Sequence, residues 1–208
     1  MEALGERKAM EKATNRYNVK AEICKNLDKV DLQELCDATE EAIIGGGGFG
    51  WISPPSIKTL QNYWKGVLLI PERILIIGKL DNVIAGSVQL IKPAKNNEAQ
   101  SHSCTLSTFF FAPWARGFGL AKAVFQKAEL RAKQDGFKVM NLEVRETQFR
   151  AIQLYEQAGF IKSGVNPKSV FIDGKYIAGY YYYKESVSYT HLRAHETPEH
   201  LVCRLVLE

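Results

Sequence analysis

The sequence predicts a mixed α/β domain, with a central, mostly antiparallel sheet of about six or seven strands and helices on both faces. Hydrophobic periodicity suggests the element order β-α-α-β-β-β-α-β-α-β-β. Turn residues at Asp81-Asn82 and Asp173-Gly174 indicate two hairpins, which join antiparallel strands. A helix between two strands over residues 103–144 indicates one parallel crossover. Together these features predict a mixed sheet covered on both sides.

The first half of the chain supplies a strand, two helices and a hairpin. NVKAEIC (18–24) alternates between apolar and polar residues, as a half-buried strand does. Asp28 is a suitable N-cap for a helix that ends at the glycines from Gly45. Ser53-Pro54-Pro55 starts a second helix, which has Ile57, Leu60, Tyr63, Trp64 and Val67 on one side. RILIIGKL and VIAGSVQLI then form the first hairpin.

The second half contains the crossover and the final hairpin. SCTLSTFFF is a long strand, followed by a turn at Pro113-Trp114-Ala115 and an amphipathic helix from Gly117 to about Gln134. FKVMNLEV (137–144) is a short buried strand, and TQFRAIQLYEQAGF is a helix closed by Gly159. Two strands near 160–172 and 176–184 complete the order.

Composition limits the class of protein. A length of 208 residues with 46% hydrophobic residues suits one domain with a full core. The net charge of +4 is compatible with an anionic small ligand and too weak to indicate nucleic acid. Four cysteines lack the spacing of a disulfide framework or a metal site, which predicts a reducing, cytoplasmic location. No signal peptide and no membrane span are expected.

Two glycine-rich stretches compete as a phosphate-binding loop. Gly45, Gly47 and Gly50 satisfy the dinucleotide pattern G-x-G-x-x-G, but they follow a helix instead of a strand, and the next helix begins later. That context argues against an NAD(P)-dependent oxidoreductase. RGFGLA (116–121) lies between a strand and a helix, where backbone amides of a first helical turn can bind an anion. Taken alone, these glycines are equally compatible with a tight strand-to-helix turn.

The residues that follow resemble the GCN5-related N-acetyltransferase (GNAT) family. Arg116, Gly119 and Ala121 match its acyl-CoA loop, (Arg/Gln)-x-x-Gly-x-(Gly/Ala). Leu142-Glu143-Val144 and, downstream, AIQLYEQAGF (151–160) match the next strand and helix of the family. The element order over about 18–185 also fits. The resemblance implies the acyl-CoA N-acyltransferase fold and acetyl transfer from acetyl-CoA to a primary amine, with no metal.

The resemblance also implies roles for individual residues. The strand end would pair with the pantetheine arm, and the loop would hold the pyrophosphate. The implied cofactor residues are Phe110, Phe111, Ala112, Arg116, Gly117, Phe118, Gly119, Leu120, Ala121, Gln148 and Tyr155. Tyr155 would protonate the leaving thiolate, although a core-facing aromatic is the plain alternative. Glu143 is the first candidate for the general base, and the alternative is a paired surface carboxylate.

Two further features of the match bear on the site. The usual Asn of the family corresponds here to Gln148, whose amide is the same but whose reach differs. Glu98 and Glu146 are weaker candidates for the base, and His102 alone is more typical of a structural histidine.

The predicted acceptor site involves aromatic residues. In the resembled family, the connection between the first two helices borders the acceptor cleft. The Gly45–Gly50 segment would then be a mobile edge of that cleft, and the predicted acceptor-binding residues are Phe49, Trp51, Tyr63 and Glu98. A flexible connector with Phe49 and Trp51 in the core is the alternative. The tyrosines of YIAGYYYYK (176–184) are expected mostly to pack.

The predicted domain boundaries are 1–17 for a poorly ordered extension, 18–186 for the domain, and 187–208 for a non-native tail. VSYTHLRAHET within that tail resembles the translation of a sequencing-library adapter, so the His191 and His195 pair is not interpreted as a metal site. The expected partner is a small-molecule or peptide amine, and a homodimer is compatible with the fold. A non-catalytic acyl-CoA-binding domain on the same fold is the alternative function.

Overall fold

The computed structural model describes residues 17–47 and 49–185, in which seven strands form one sheet. The strand order across the sheet is β1-β2-β3-β4-β5-β7-β6. The strands are β1 (Val19–Cys24), β2 (Arg73–Leu80), β3 (Val83–Ile91), β4 (Ser103–Phe111), β5 (Val139–Arg145), β6 (Ile161–Ile172) and β7 (Lys175–Glu185). The helices are α1 (Lys29–Ile44), α2 (Ile57–Leu69), α3 (Leu120–Gln134) and α4 (Phe149–Gln157). This order of elements is the predicted one.

The connections account for the direction of each strand pair. Only β4 and β5 are parallel, and they are the strands joined by the α3 crossover. The other neighbouring pairs are antiparallel. Asp81 and Asn82 have φ values of 50° and 70°, and Asp173 and Gly174 have 49° and 76°, so two-residue turns close both predicted hairpins. The predicted mixed, mostly antiparallel sheet is confirmed.

Buried side chains form one core on each face of the sheet. Leu75 and Ile77 of β2 face α1 and α2, where Leu35 and Trp64 are fully buried. Ile76, between them in the strand, faces the opposite core beside α3 and α4. Because alternate residues of β2 are buried on opposite faces, this strand has an almost continuous apolar sequence. The helices therefore cover both faces, as predicted.

One helix start differs from the predicted one. Asp28 caps α1 as expected, since its carboxylate accepts from the amides of Val30 and Asp31 at 2.8 Å. Helix α2 begins at Ile57 with Ser56 as its cap, which agrees with the predicted helix SIKTLQNYWKGVLL directly after Ser53-Pro54-Pro55. Helix α3 begins at Leu120, because Gly119 at φ 81° has a left-handed conformation that cannot continue a right-handed helix.

Parts of the predicted boundaries fall outside the described residues. Of the extension at 1–17, only Tyr17 is described, and the tail at 187–208 with His191 and His195 lies beyond the described range. Among the residues that the structure describes, no helix combines the length and apolar character needed to cross a membrane.

Packing of α3 on the sheet depends on Gly78 in β2. A Cβ atom there would lie 2.6 Å from Cγ2 of Val124, so we expect Gly78→Ala to lower the free energy of unfolding by about 1–3 kcal/mol. Gly66, inside α2, has open space around it, and Gly66→Ala should raise the same quantity by about 0.5–1 kcal/mol. Urea unfolding of both variants measures the difference, and equal effects would contradict this account of the packing.

Candidate active site

The sheet opens between β4 and β5. Their parallel pairing ends at Leu106 and Leu142, although β4 continues to Phe111 and β5 to Arg145. Beyond that point the facing edges of the two strands no longer bond to each other. The amide of Ala112 donates to the carbonyl of Ala85 on the β3 side. Because successive residues of a strand point in alternate directions, the amide of Phe111 faces the opening.

A β-bulge lies in β4 beside this opening. Ser87 of β3 pairs with Phe110, and Gln89 pairs with Ser107, so one residue of β3 faces two residues of β4. Thr108, inside the bulge, has φ 52°. A β-branched residue rarely adopts this left-handed conformation, which costs free energy. The strand therefore bends where it begins to line the opening.

The N-terminus of α3 points its unused amides at the same place. Gly117 and Gly119 have φ values of 89° and 81°, and no side chain caps the helix at Gly119. The first amides of a helix have no partner within it, and here the turn supplies none from the residues described. The exposed Arg116 side chain precedes them. Unpaired amides, the helix dipole and a guanidinium together favour a bound anion.

These features line one cleft of about 1080 Å³. Eight of the predicted cofactor residues lie on its wall, namely Phe110, Phe111, Arg116, Gly117, Gly119, Leu120, Ala121 and Gln148. The other three do not line it. Ala112 is fully buried, Phe118 packs against Tyr17 with ring centroids 4.6 Å apart, and Tyr155 belongs to the core. The wall also includes Gly45, Gly46 and Gly47, together with Phe109 and the start of α4.

Tyr155 lies one layer beneath the cleft wall. It is 4% exposed, and its ring centroid is 5.7 Å from that of Phe109, which lines the cleft. Burial raises the pKa of the Tyr155 hydroxyl far above its usual range, because the phenolate would lose its hydration. Tyr155 therefore keeps its proton at neutral pH.

Glu143 lies on the other face of the sheet. Leu142 and Val144 face the α3 and α4 core, so Glu143 points to the side of α1 and α2, where it is exposed. The hydroxyl of Ser169 donates to Glu143 Oε1 at 2.7 Å. Only one carboxylate oxygen is engaged in this way, so the group retains capacity to accept a proton.

The predicted acceptor residues Phe49, Trp51 and Tyr63 form an aromatic cluster with Trp64 and Phe110. Ring centroids are 4.8 Å apart for Phe49 and Phe110, and 5.2 Å apart for Trp51 and Tyr63. Phe49 is buried, whereas Trp51 and Tyr63 are half-buried. The cluster lies on the same face as Glu143 and connects to the cleft through Phe110, which lines it.

The glycine-rich segment after α1 has few amides left for a phosphate. The amides of Gly45, Gly46 and Gly47 donate to the carbonyls of Glu41, Ile43 and Ala42, where they close the end of α1. This use of the amides agrees with the argument against a dinucleotide site. Two backbone carbonyls of the segment accept hydrogen bonds from distant side chains. Gln148 Nε2 donates to Gly46 O at 2.6 Å, and Arg145 Nη2 donates to Phe49 O.

A model of the acetyltransferase (GNAT) family matches residues 32–160, more than half of the chain. This chain belongs to the GNAT acetyltransferase family. It is 58% identical over 120 residues to the uncharacterized N-acetyltransferase in the hisH-hisA intergenic region of Azospirillum brasilense, a match that covers 58% of this chain and 71% of that protein.

Solved structures share the fold of this GNAT domain at low sequence identity. An N-acetyltransferase from Staphylococcus aureus has a TM-score of 0.69 at 16% identity, over 81% of this chain and 98% of that one. A phosphinothricin acetyltransferase of the GNAT superfamily from Sinorhizobium meliloti, in complex with acetyl-CoA, has a TM-score of 0.67 at 17% identity, over 80% and 88% of the two chains. The domain has the GNAT acyl-CoA N-acyltransferase fold.

Some candidate residues of this GNAT domain lie away from the cleft. Glu98 is exposed in a short 3₁₀ turn before β4, at the opposite end of that strand from Phe111. His102 also precedes β4, and its carbonyl accepts from the amides of Lys138 and Val139. The carboxylate of Glu146 accepts a hydrogen bond from the backbone amide of Ala178 and so helps to hold β7 in place. No group of three or more potential metal ligands occurs among the described residues.

Sequence reasoning missed two features of the site. The bulge at Thr108 has no glycine or proline in SCTLSTFFF to signal it. No local pattern indicated that the side chain of Arg145 donates to the glycine-rich segment. Both features arise from pairing between distant parts of the chain, which local periodicity does not report.

The conformation of Thr108 predicts an unusual effect of glycine in a strand. Thr108→Gly removes the cost of a left-handed β-branched residue, which exceeds the entropic cost of glycine, so the free energy of unfolding should rise by about 1 kcal/mol. Thr105→Gly, at an exposed ordinary position of β4, should lower it by about 1 kcal/mol. Urea unfolding distinguishes them, and destabilisation of the same size by both substitutions would refute the strain.

Proposed function

We propose that this GNAT domain is an enzyme that transfers an acetyl group from acetyl-CoA to a primary amine by direct attack on the thioester. The observation that carries the proposal is the uncapped N-terminus of α3, which opens with Arg116 onto the cleft between β4 and β5. A polyanionic cofactor supplies the negative charge that this arrangement attracts. The acetyl-CoA bound to a structural neighbour of the same fold supports the choice of cofactor.

The cleft suggests how the cofactor would lie. The amides from Gly117 to Ala121 and the side chain of Arg116 would hold the pyrophosphate. The pantetheine arm would follow the free edge of β4, where Phe111 offers backbone groups as a neighbouring strand does. The thioester would then lie near the bulge, and a backbone amide there would stabilise the charge that develops on its carbonyl oxygen.

Glu143 is proposed as the general base. Amines are mostly protonated at neutral pH, so the attacking nitrogen must lose a proton. Glu143 is exposed on the face that carries the aromatic cluster, immediately past the last β4–β5 pair. Its bond from Ser169 fixes one oxygen, and the other can accept a proton directly or through one water molecule.

Tyr155 is proposed as the general acid. The thiolate that leaves after transfer needs a proton, and the hydroxyl of Tyr155, which matches the tyrosine of the family's helix, is proposed to supply it. Tyr155 lies behind Phe109, at the wall along which the pantetheine arm would run. The proton would pass from the hydroxyl oxygen to the sulfur of coenzyme A, and the proton that Glu143 takes from the amine would be released to solvent, from which Tyr155 would regain one before the next turnover.

The acceptor is proposed to be a small-molecule or peptide amine that approaches over Phe49, Trp51 and Tyr63. Glu98 is not included in this site, because it lies in the turn before β4, at the opposite end of that strand from Phe111. A cytoplasmic location is proposed from Cys24, Cys36 and Cys104, which are free, buried and held protonated by pKa values of about 11, 11 and 12.

Binding of acetyl-CoA tests the cofactor site. We expect isothermal titration to detect binding, and Arg116→Gln to weaken it about tenfold, because a charge-assisted contact to phosphate is lost. Lys133→Gln removes the same charge from the exposed far end of α3 and should leave affinity unchanged. Absence of binding, or equal losses in both variants, would refute the proposed phosphate contact.

Turnover on a panel of amines tests the reaction. Release of free thiol should depend on an amine, and Glu143→Gln and Tyr155→Phe should each lower kcat by about a hundredfold or more, while the Kd for acetyl-CoA stays unchanged. Glu185→Gln, also an exposed carboxylate at a strand end, serves as the control. Binding of acetyl-CoA without turnover of any amine would favour the non-catalytic binding domain.

A further inference from the structure

We propose that Arg73, Gln89 and Tyr63 give the acceptor site a fixed hydrogen-bond donor, the hydroxyl of Tyr63. That donor would select amines that carry a carbonyl or carboxylate oxygen a few bonds from the reacting nitrogen, as amino-acid derivatives and peptide N-termini do. Tyr63 is then a specificity-determining residue, and Arg73 and Gln89 are positioning residues that act through it. This inference rests on the proposed acetyl transfer, because it names the class of amine that the same site accepts.

The three side chains form a chain of hydrogen bonds against the sheet. Arg73 Nη1 donates to Gln89 Oε1 at 2.6 Å, and Gln89 Nε2 donates to the hydroxyl oxygen of Tyr63 at 2.9 Å. Gln89 is fully buried, whereas Arg73 and Tyr63 at the two ends are half-buried. A buried amide depends on protein partners for its hydrogen bonds, and this one has a partner for its oxygen and one for its nitrogen.

Arg73 determines the direction of each bond in this chain. A guanidinium only donates, so the amide of Gln89 presents its oxygen to Arg73 and its NH2 group to Tyr63. The NH2 group also only donates, so the oxygen of Tyr63 is the acceptor. The proton of the Tyr63 hydroxyl is then left over, and no acceptor for it occurs in the described part of the chain. It is available to an oxygen atom of a ligand.

The chain lies at the same level of the sheet as Glu143. Gln89 of β3 pairs with Ser107 of β4. The last pair between β4 and β5 joins Leu106 to Leu142, so Ser107 and Glu143 are the next residues of these two strands. Because neighbouring strands lie about 4.8 Å apart, the backbones of Gln89 and Glu143 are about 10 Å apart, with β4 between them.

The alternation of side chains along β3 shows that the chain also shares a face with Glu143. Val88 and Leu90, on either side of Gln89, belong to the core beside α3 and α4, so Gln89 points towards α1 and α2. Glu143 points the same way, and the thioester is proposed to lie near the bulge of β4, the strand between them. An amine that attacks from this face would have Glu143 on one side and the Tyr63 hydroxyl on the other.

The position of Tyr63 makes its hydroxyl a selective donor. Its ring packs against those of Trp51 and Trp64, with centroids 5.2 Å and 4.9 Å apart, so the hydroxyl is held in place. An acceptor with an oxygen near its amine would satisfy the free proton of Tyr63. An acceptor with only hydrocarbon there would displace water from the hydroxyl and leave it unpaired, which costs free energy.

Two amines of the same shape test the selectivity. Glycinamide and isobutylamine have equal numbers of heavy atoms, and only glycinamide carries an oxygen. We expect Tyr63→Phe to lower the ratio of kcat/KM for glycinamide to that for isobutylamine about tenfold, because one hydrogen bond to the substrate is lost. Tyr176→Phe, the same change at an exposed tyrosine of β7, should leave the ratio unchanged. An unchanged ratio in Tyr63→Phe would overturn the proposal.

Triglycine presents the same amine and oxygen as a peptide N-terminus. Its kcat/KM relative to isobutylamine should fall in Tyr63→Phe as that of glycinamide does. The rates of the unaltered enzyme with triglycine and glycinamide distinguish a peptide from a small molecule as the source of these groups.

Arg73→Met tests the direction of the hydrogen bonds. Without the guanidinium, the amide of Gln89 can turn over and accept from Tyr63, which uses the free proton. The ratio for glycinamide over isobutylamine should therefore fall towards that of Tyr63→Phe, although Tyr63 is intact. Arg131→Met removes a half-buried guanidinium that pairs with Asp135 on α3, and it should leave the ratio unchanged. An equal loss of kcat/KM for both amines in Arg73→Met would show a general structural role and refute the positioning role.

Urea unfolding tests the chain without any need for turnover. Tyr63→Phe leaves the buried NH2 group of Gln89 without an acceptor, so the urea concentration at the midpoint should fall. In a Gln89→Met background no such group remains, and Tyr63→Phe should then leave the midpoint unchanged. Equal decreases in both backgrounds would overturn the chain. If no amine is turned over, the proposed reaction and its selectivity both fail, whereas the hydrogen bonds stand or fall with the unfolding result.

Discussion

The site depends on backbone groups that lack a partner in the sheet. Beyond Leu106 and Leu142, the facing edges of β4 and β5 no longer form hydrogen bonds with each other. Paired strands satisfy each other, whereas a splayed pair leaves donors and acceptors that must find water or a ligand. Helix α3 connects β4 to β5, so its N-terminus lies beside the open end of this strand pair. Further backbone amides are free there. The bulge at Thr108 bends β4 at the same level. A cleft built in this way binds through the main chain first, and side chains such as Arg116 add charge.

The sheet itself separates the two proposed proton carriers. Tyr155 is buried on the α3 and α4 side, where desolvation keeps its hydroxyl neutral. Glu143 is exposed on the α1 and α2 side, where water and Ser169 support its charge. The proposed donor and acceptor of protons thus lie on opposite faces of one strand layer, and the opening between β4 and β5 would be the route by which the reacting atoms meet. Burial alone raises the pKa of the Tyr155 hydroxyl, without a nearby charge.

Local sequence signals predicted most of the fold. Asp28, Asp81-Asn82 and Asp173-Gly174 act on their own neighbours, so their effects could be read from short stretches of sequence. The strand–turn–helix context of residues 116–121 was also predictable, because it is contiguous in the chain. The bulge at Thr108 and the contact from Arg145 to Phe49 depend on register and on residues 96 positions apart, which short patterns do not encode. Glu98 was placed near the site by residue type alone, and the topology puts it at the other end of β4.

The use of main-chain groups in the cleft wall has a consequence for divergence of the sequence. The amides of α3 and the edge of β4 do not change when side chains change, so a cofactor bound by these groups, as proposed, would tolerate extensive substitution elsewhere. The low sequence identity between this domain and structures of the same fold is consistent with that tolerance. Trp51 and Tyr63, by contrast, would act through their side chains in the proposed acceptor site. Acceptor preference would then be free to drift at a few positions while the proposed main-chain contacts to the cofactor stay unchanged.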